Sequence, residues 1–443
     1  MTPTGKATRM TPDMFAARRR RLAEKAGADV IIIPAAHEAT RSRDTEFPFR
    51  QDSDFLYLTG FPEPDAIAVL RPGHEKPYVL FVRPRDRERE IWTGFRAGAE
   101  GAVEKYGADE AHALSEWPRL LPELLSNQPR VSVRLGQDAA VDKAVIETID
   151  QLRQRGRQGI EAPAELRDPS VALADMRLFK GPEEIPFLQQ AADITVAGHI
   201  AAMQQTRPDM MEFEIQALLE YEFRRRGAAA PGYGSIVAGG ANATILHYVE
   251  NAARMADGDL LLIDAGAEYQ GYTGDVTRTF PIGRTFEGAA REVYEIVLAA
   301  QEAALAASLP GQTLDAVHQA AVRTLTQGLR DLGVLEGEVD GLIEQQAYRP
   351  FYMHGTSHWL GLDVHDVGTY KLDGKARALE PGMVYTVEPG LYFHADSAAP
   401  ERLHGIGIRI EDDILITDQG HKNLTEAVPK SIKDIEELRR QAF

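Results

Sequence analysis

Cysteine is absent from this chain. Disulfides, thiolate nucleophiles and cysteine-ligated zinc or iron–sulfur centres are thereby excluded. The composition suits a reducing compartment, and a cytoplasmic address is the expectation. Long apolar runs are missing too. None approaches the roughly 18 residues that a membrane-spanning helix needs, so no membrane is expected as a partner. The N-terminal stretch MTPTGKATRMTPDMFAARRRRLAEK has no apolar segment after its basic residues, so it does not read as a secretory leader. Positive charge is in short supply: 49 Lys and Arg stand against 67 Asp and Glu, a formal net charge of -18. Such a surface disfavours nucleic acid and anionic lipid. The basic run Arg18 to Arg21 reads as the solvated face of a first helix.

What is present is ordinary globular material. The chain has 443 residues, 44% hydrophobic and 26% charged, enough for two domains and a large buried core. Over residues 1–175 strand and helix patterns alternate. ADVIIIPAA is an apolar run suited to a buried strand, and strand character continues at Phe55 to Tyr57, Ala66 to Leu70 and KPYVLFV. The spacing of Leu120 to Leu125 is helical. A smaller α/β domain is the expectation there. Between Ala162 and Ile185 three prolines and a glycine flank a short helical stretch, which reads as the connection. Over residues 176–443 helical periods run from Pro182, through MEFEIQALLEYEFRRRG, near Glu287 to Ala307 and from Leu314 to Leu332. Strand patterns occupy YGSIVAGG, DLLLIDAGAEY, GYTGDVTRTF and Met383 to Ile416. This second domain reads as α+β, with helices segregated from an antiparallel sheet.

Three segments carry the chemistry. If DLLLIDAGAEYQGYTGDVTRTF is a hairpin with Tyr269 and Gln270 as its loop and no bulge, Glu268 pairs with Gly271. Asp264 then pairs with Asp275 on one face. Two facing carboxylates repel and would force one to keep a proton, unless a dication lies between them. HGTSHWLGLDVHDVG places His354, His358 and His365 within twelve residues. Histidine is the usual nitrogen ligand and near-neutral acid or base. MVYTVEPGLYF and GIGIRIEDDILIT each read as a strand whose apolar pattern breaks at an acid, Glu388 and Glu411. A buried glutamate needs a partner; for Glu411, a salt bridge to Arg409, two residues away on the same strand face, is the competing account. His247, alone in ILHYVE, reads from its surroundings as a satisfied or surface histidine.

Asp264, Asp275, His358, Glu388 and Glu411 make an oxygen-rich, hard ligand set for manganese, cobalt, zinc or iron. Two cations about 3.5–4 Å apart would suit metal-assisted hydrolysis of an amide or ester. On ligand chemistry alone a phosphoester remains open.

These segments, with ILHYVEN, FPFRQDSDFLYLTGFPEPDA and IWTGFRAGAEGA, resemble in the same order the proline-specific pita-bread metallopeptidases, above all the aminopeptidase P branch. The resemblance covers nearly the whole chain. It implies a pita-bread catalytic domain behind an aminopeptidase P type N-terminal domain, and two divalent cations, manganese first and zinc or cobalt as alternatives. Asp264, Asp275, His358, Glu388 and Glu411 would hold them, with Asp275 and Glu411 bridging. Glu388 would also take the proton of the attacking water. His247 and His365 would flank the reaction, which reverses the reading of His247 from its surroundings. His354, Tyr392 and Arg409 would line the pocket, with Arg157, Trp92 and Asp44 contributed by the N-terminal domain. The implied substrate is a peptide with proline at its second position, and the implied assembly a homodimer or homotetramer. A prolidase is the nearest rival, although Thr356 and Ser357 between the histidines favour aminopeptidase P. Methionine aminopeptidase, a creatinase-type hydrolase and a non-catalytic relative fit less well, the last two because all five ligands are present.

Overall fold

The computed structural model describes residues 10–27 and 30–442. Residues 1–9 of the stretch read above for a leader, and Ala28 and Asp29 of the ADVIIIPAA run, lie outside them. The chain divides into two compact units, Met1–Met176 and Arg177–Phe443. Among the described residues no helix is long and apolar enough to cross a membrane.

The first unit is built on a six-stranded mixed sheet. Its order is Glu110–Ala113, Tyr78–Val82, Ile67–Leu70, Val30–Pro34, Arg130–Val133 and Glu165–Arg167. Val30–Pro34 runs antiparallel to Ile67–Leu70 and parallel to Arg130–Val133. Both central strands are wholly buried, which is why they read as unbroken apolar runs. Helices Trp117–Leu125 and Ala139–Gln154 cover the sheet with Leu121, Leu125, Val145 and Leu152. The stretch from Ala162 is no free linker at first, because Glu165–Arg167 closes one edge of this sheet. Helix Ser170–Leu178 follows.

Two expectations fail here. SDFLYLT is a helix, Ser53–Thr59, and not a strand. The aromatic and β-branched content suggested a strand, but the ends decide. The Asp52 carboxylate accepts from the Phe55 amide, and Gly60 closes the helix in the left-handed region at φ 62°. The arginine run is also only half solvated. Arg20 and Arg21 are exposed, whereas Arg18 and Arg19 are buried. Their guanidinium carbons lie 4.1 Å from the Tyr57 ring centre and 3.7 Å from that of Tyr78. Each also donates to a main-chain carbonyl, Tyr57 and Leu58. Stacking and hydrogen bonding together let the cations leave water.

The second unit is α+β, and its paired strands are all antiparallel among the described residues. Ile236–Gly239, Leu260–Asp264 and Thr277–Pro281 form one sheet; Val384–Val387, Asp412–Thr417 and Gly420–Asn423 form another. Gly390–Tyr392 pairs with Gly407–Arg409. Helices Ile185–Gln205, Glu212–Arg225, Gly288–Ala307 and Leu314–Asp331 supply the buried side chains Ile194, Phe223, Val293, Val297 and Leu325 to one core with Leu261, Ile263 and Phe280.

The hairpin register is corrected by two residues. Its loop is Gln270 and Gly271, with φ 54° and 87°, so Tyr269 faces Tyr272 and Glu268 faces Thr273. Both central residues at positive φ make this a type I′ loop, in which glycine suits the second position. Asp264 therefore lies opposite Thr277, not Asp275. A shift of two keeps every side chain on its face, so the two aspartates stay neighbours on the diagonal. Between them the ladder is pinched. A Cβ on Gly266 would sit 1.6 Å from the Gly274 carbonyl oxygen, so the chain passes itself there only because residue 266 is glycine; a Cβ on Gly274 would instead meet Thr195 Oγ1 at 2.8 Å.

Candidate metal centre

Each acid stands where a strand ends. Asp264 closes Leu260–Asp264, and Asp275 precedes Thr277–Pro281. Glu388 follows Val384–Val387, and Glu411 sits between Gly407–Arg409 and Asp412–Thr417. Sequence reading put both glutamates inside strands. Strand ends instead leave their main chain rigid and their side chains free to converge. A cavity of about 560 Å³ results, lined by Asp264, Asp275, His358, Glu388 and Glu411 with His247, His354, His365 and Arg409.

Distances are short. The His358 Nε2 lies 3.4 Å from Asp275 Oδ2 and 3.5 Å from Glu388 Oε1. Its Nδ1 donates to the Trp359 carbonyl at 3.0 Å, which fixes the tautomer and aims Nε2 at the acids. Asp275, His358 and Glu411 each offer one donor atom within 4.8 Å of the others. The competing account of Glu411 does not hold, because Arg409 gives its Nη2 to Asp264 Oδ2 at 2.7 Å. Arg409 also donates from Nε to the Thr277 hydroxyl and from Nη1 to the Tyr392 hydroxyl, both at 3.0 Å. Thr277 in turn donates to Glu411 Oε2 at 2.7 Å, so the arginine reaches Glu411 only through a hydroxyl.

The charges do not balance among these residues. Four carboxylates face one guanidinium and at most one imidazolium. Tyr233, which the sequence reading missed, sharpens the point. Its hydroxyl lies 2.7 Å from Asp264 Oδ1 and 2.5 Å from Asp275 Oδ1, yet it has one proton to give. Asp275 and Glu411 are 4% and 2% exposed, so water offsets little of the deficit. Burial, with the neighbouring acids adding to it, lifts Glu411 well above the carboxylate range and Glu388 to about 7. Burial, with Asp264 adding to it, also raises Asp275. Burial alone would lower His358, but the hydrogen bond to Asp275 and the Glu388 charge outweigh it and hold the ring at about 9. A hard, oxygen-rich cluster short of positive charge fits divalent cations.

Cation uptake must therefore displace protons, from His358 across the neutral range and from Glu388 below about pH 7. The affinity for Mn²⁺ is expected to fall by about tenfold per pH unit between pH 8 and 7, and more steeply below 7. Titration calorimetry in two buffers of different ionisation enthalpy would count the protons released. An affinity that does not change with pH would contradict this picture.

The remaining pocket residues stand nearby. His354 Nδ1 donates to the Gly355 carbonyl, and Nε2 takes the Tyr392 hydroxyl at 2.9 Å. Burial, then Arg409, pushes His354 down to about 3, so it is neutral. His365 packs edge-to-face on His358 at 4.3 Å between ring centres, and burial followed by the His358 charge lowers it. His247 and His365 are exposed at the cavity wall. In the first unit, Asp44 sits on the turn after Thr40–Ser42, Trp92 in helix Arg87–Thr93 at 87% exposure, and Arg157 in the short helical turn Gly156–Gln158. Besides Tyr233, Thr277 and Thr386 were not foreseen. Thr386 meets both the His358 amide and Glu388. Their signal was alternation: Thr277 and Thr386 occupy inward positions two residues from Asp275 and Glu388.

Comparison with known proteins agrees with this geometry. The family model for Metallopeptidase family M24 matches residues 187–418, and that for the aminopeptidase P N-terminal domain matches residues 15–133. The chain is 49% identical to the Xaa-Pro aminopeptidase of Escherichia coli K12 over 96% of this chain and 97% of that one. Its structure is similar to Pseudomonas aeruginosa aminopeptidase PepP, at TM-score 0.96 and 46% identity, over 98% of this chain and 99% of the other. It is likewise similar to zinc-substituted E. coli aminopeptidase P in complex with product, at TM-score 0.95 and 48% identity over the same shares.

Proposed function

Since the chain belongs to metallopeptidase family M24, we infer that it is an Xaa-Pro aminopeptidase, releasing the first residue of peptides whose second residue is proline. The observation that carries this reading is the buried acid cluster around His358, in a chain nearly half identical to an Xaa-Pro aminopeptidase along its whole length. Asp264, Asp275, His358, Glu388 and Glu411 would hold two divalent cations. When bound, the cations supply Lewis-acid chemistry and make water acidic enough to attack an amide at neutral pH.

The chain's own groups do the rest. Glu388, held near neutrality, is placed to take the proton of the attacking water and pass it to the leaving nitrogen. His247 and His365, at the cavity wall, bind the peptide and steady the oxygen that gains charge on the scissile carbonyl. His354, Tyr392 and Arg409 form one hydrogen-bonded chain that fixes the pocket wall. A proline imide has no N–H, so a wall shaped for its ring need supply no acceptor. Asp44, Trp92 and Arg157 belong to this reading through the N-terminal segments that resemble aminopeptidase P. Manganese as the working metal, assembly into dimers or tetramers, and a cytoplasmic address complete it; the hard donor set and the lack of cysteine support the first and the last.

Assay of the manganese-loaded protein on Xaa-Pro and on Xaa-Pro-Yaa-Zaa tests the assignment. Release of the first residue from the longer peptide is expected. Cleavage of dipeptides alone would make the protein a prolidase. A metal-replete protein inert on both would overturn peptidase function.

A further inference from the structure

His247 stands on a stretch without regular structure. After the short turn Gly240–Thr244 the chain runs through 245–259 as loop, until Leu260–Asp264 begins. The place of the His247 ring is therefore set by whatever holds residues 239–253. Asn251 ties that stretch to Val237, Ser235 and Gln216, and one further side chain takes four of its hydrogen bonds. Glu212, the first residue of helix Glu212–Arg225, is wholly buried.

Among the described residues no cation pairs with its carboxylate. Instead four donors converge on it, all from the His247 loop. Oε1 accepts from the Gly239 amide at 2.8 Å and the Asn242 side chain at 3.0 Å. Oε2 accepts from the Tyr248 hydroxyl at 2.8 Å and the Ala253 amide at 2.7 Å. The Glu212 amide also donates to the Ala253 carbonyl at 3.0 Å. These contacts bracket His247 on both sides, with Tyr248 its immediate neighbour. A buried carboxylate is tolerated when donors replace its water. Here every donor comes from one loop, and that loop carries a histidine into the cavity.

We propose that Glu212 is a positioning residue: it clamps the 239–253 loop so that His247 meets the peptide in register with the acid cluster. The proposal rests on the reading that His247 acts on the substrate. Glutamine is the informative replacement. Its amide nitrogen has two hydrogens and no acceptor, whereas all four groups around the site donate. At whichever oxygen position the nitrogen falls, a main-chain amide loses its acceptor, Gly239 on one side or Ala253 on the other. The loop must then shift, and a misplacement of about 1 Å costs on the order of a hundredfold in rate.

The test is a double-mutant cycle on the manganese-loaded full chain, with Glu212→Gln, His247→Ala and both together, followed by kcat and KM on an Xaa-Pro-Yaa-Zaa peptide. Glu212→Gln is expected to lower kcat by about 10- to 100-fold with two metals still bound. The double variant should be no slower than His247→Ala alone, since residues acting as a unit are not additive. Tyr248→Phe removes one of the four donors at little risk to folding and should give a smaller loss of the same kind. It keeps the test open should the glutamine variant fail to fold. If Glu212→Gln slows His247→Ala as much as it slows the wild type, or if both loop variants leave kcat unchanged while His247→Ala is impaired, Glu212 has no positioning role. A fully active His247→Ala would instead remove the reading of His247 on which the proposal stands.

Discussion

Asp275→Ala is expected to lose bound metal and peptidase activity together, the rate falling on the order of a thousandfold or more. Asp275 faces His358 Nε2 with one carboxylate oxygen and the Tyr233 hydroxyl with the other. Its amide is in turn held by Asp413 Oδ2 at 3.1 Å. Removing it leaves His358 and Glu411 without the group between them. Loss of activity alone would not separate a metal ligand from a fold-critical acid, but stability does. In the metal-free protein burial and Asp264 raise the Asp275 pKa, and a carboxylate so raised destabilises the folded state above its unfolded pKa. Metal-free Asp275→Ala should thus resist urea at pH 8 at least as well as metal-free wild type. Adding Mn²⁺ should stabilise the wild type and leave the variant where it was. Two equivalents of metal retained by the folded variant, measured by elemental analysis after dialysis, would refute the metal-ligand role.

The acids were legible because burial makes them conspicuous. An ionisable side chain that interrupts an apolar strand pattern must be compensated, and Glu388 and Glu411 advertise that in their own segments. The register of the hairpin was not legible from charge alone. It was written in the loop, where glycine belongs at the second position, and one residue of misplacement there moved every pair by two. Tyr233 had no local signal. It lies near the short strand Ala230–Pro231 and meets Asp264 and Asp275 only through the tertiary fold. The same holds for Arg18 and Arg19: a run of four arginines looks solvated until Tyr57 and Tyr78, far along the chain, supply ring faces. Helix Ser53–Thr59 shows the reverse case. Its composition misled, while its cap Asp52 and stop Gly60 were in plain view.

The second large effect lies directly behind the acid cluster. Arg278 and Asp412 are both fully buried and pair at 2.5 Å. Arg278 Nη1 also donates to the Glu411 carbonyl at 2.6 Å and the Thr277 carbonyl at 2.9 Å, so it fixes the main chain of one proposed metal ligand and of the threonine that bonds it. Asp412 accepts in addition from Gln301, Asn423 and Lys430. Burial would raise this carboxyl, but Arg278 and then Lys430 overcome it and hold it well below the usual range. The sign follows: a depressed folded pKa contributes stability that is present above the unfolded value of about 3.9 and is lost as pH falls through the folded one. Asp412→Ala leaves Arg278 charged and unpaired in the core, and is expected to cost about 3–5 kcal/mol of unfolding free energy in urea at pH 7. The double variant Arg278→Met with Asp412→Leu should recover part of that loss, because well-packed apolar replacements avoid the stranded charge. It should not recover activity, since the Glu411 carbonyl would lose its Arg278 donor and the Thr277 carbonyl would keep the Glu411 amide alone of the two groups that hold it. A double variant as active as the wild type would mean that the pair serves the fold alone. A loss below about 1 kcal/mol in Asp412→Ala would mean that the carbonyls of Thr277, Glu411, Val428 and Pro429, all of which accept from Arg278, solvate it without a counter-charge.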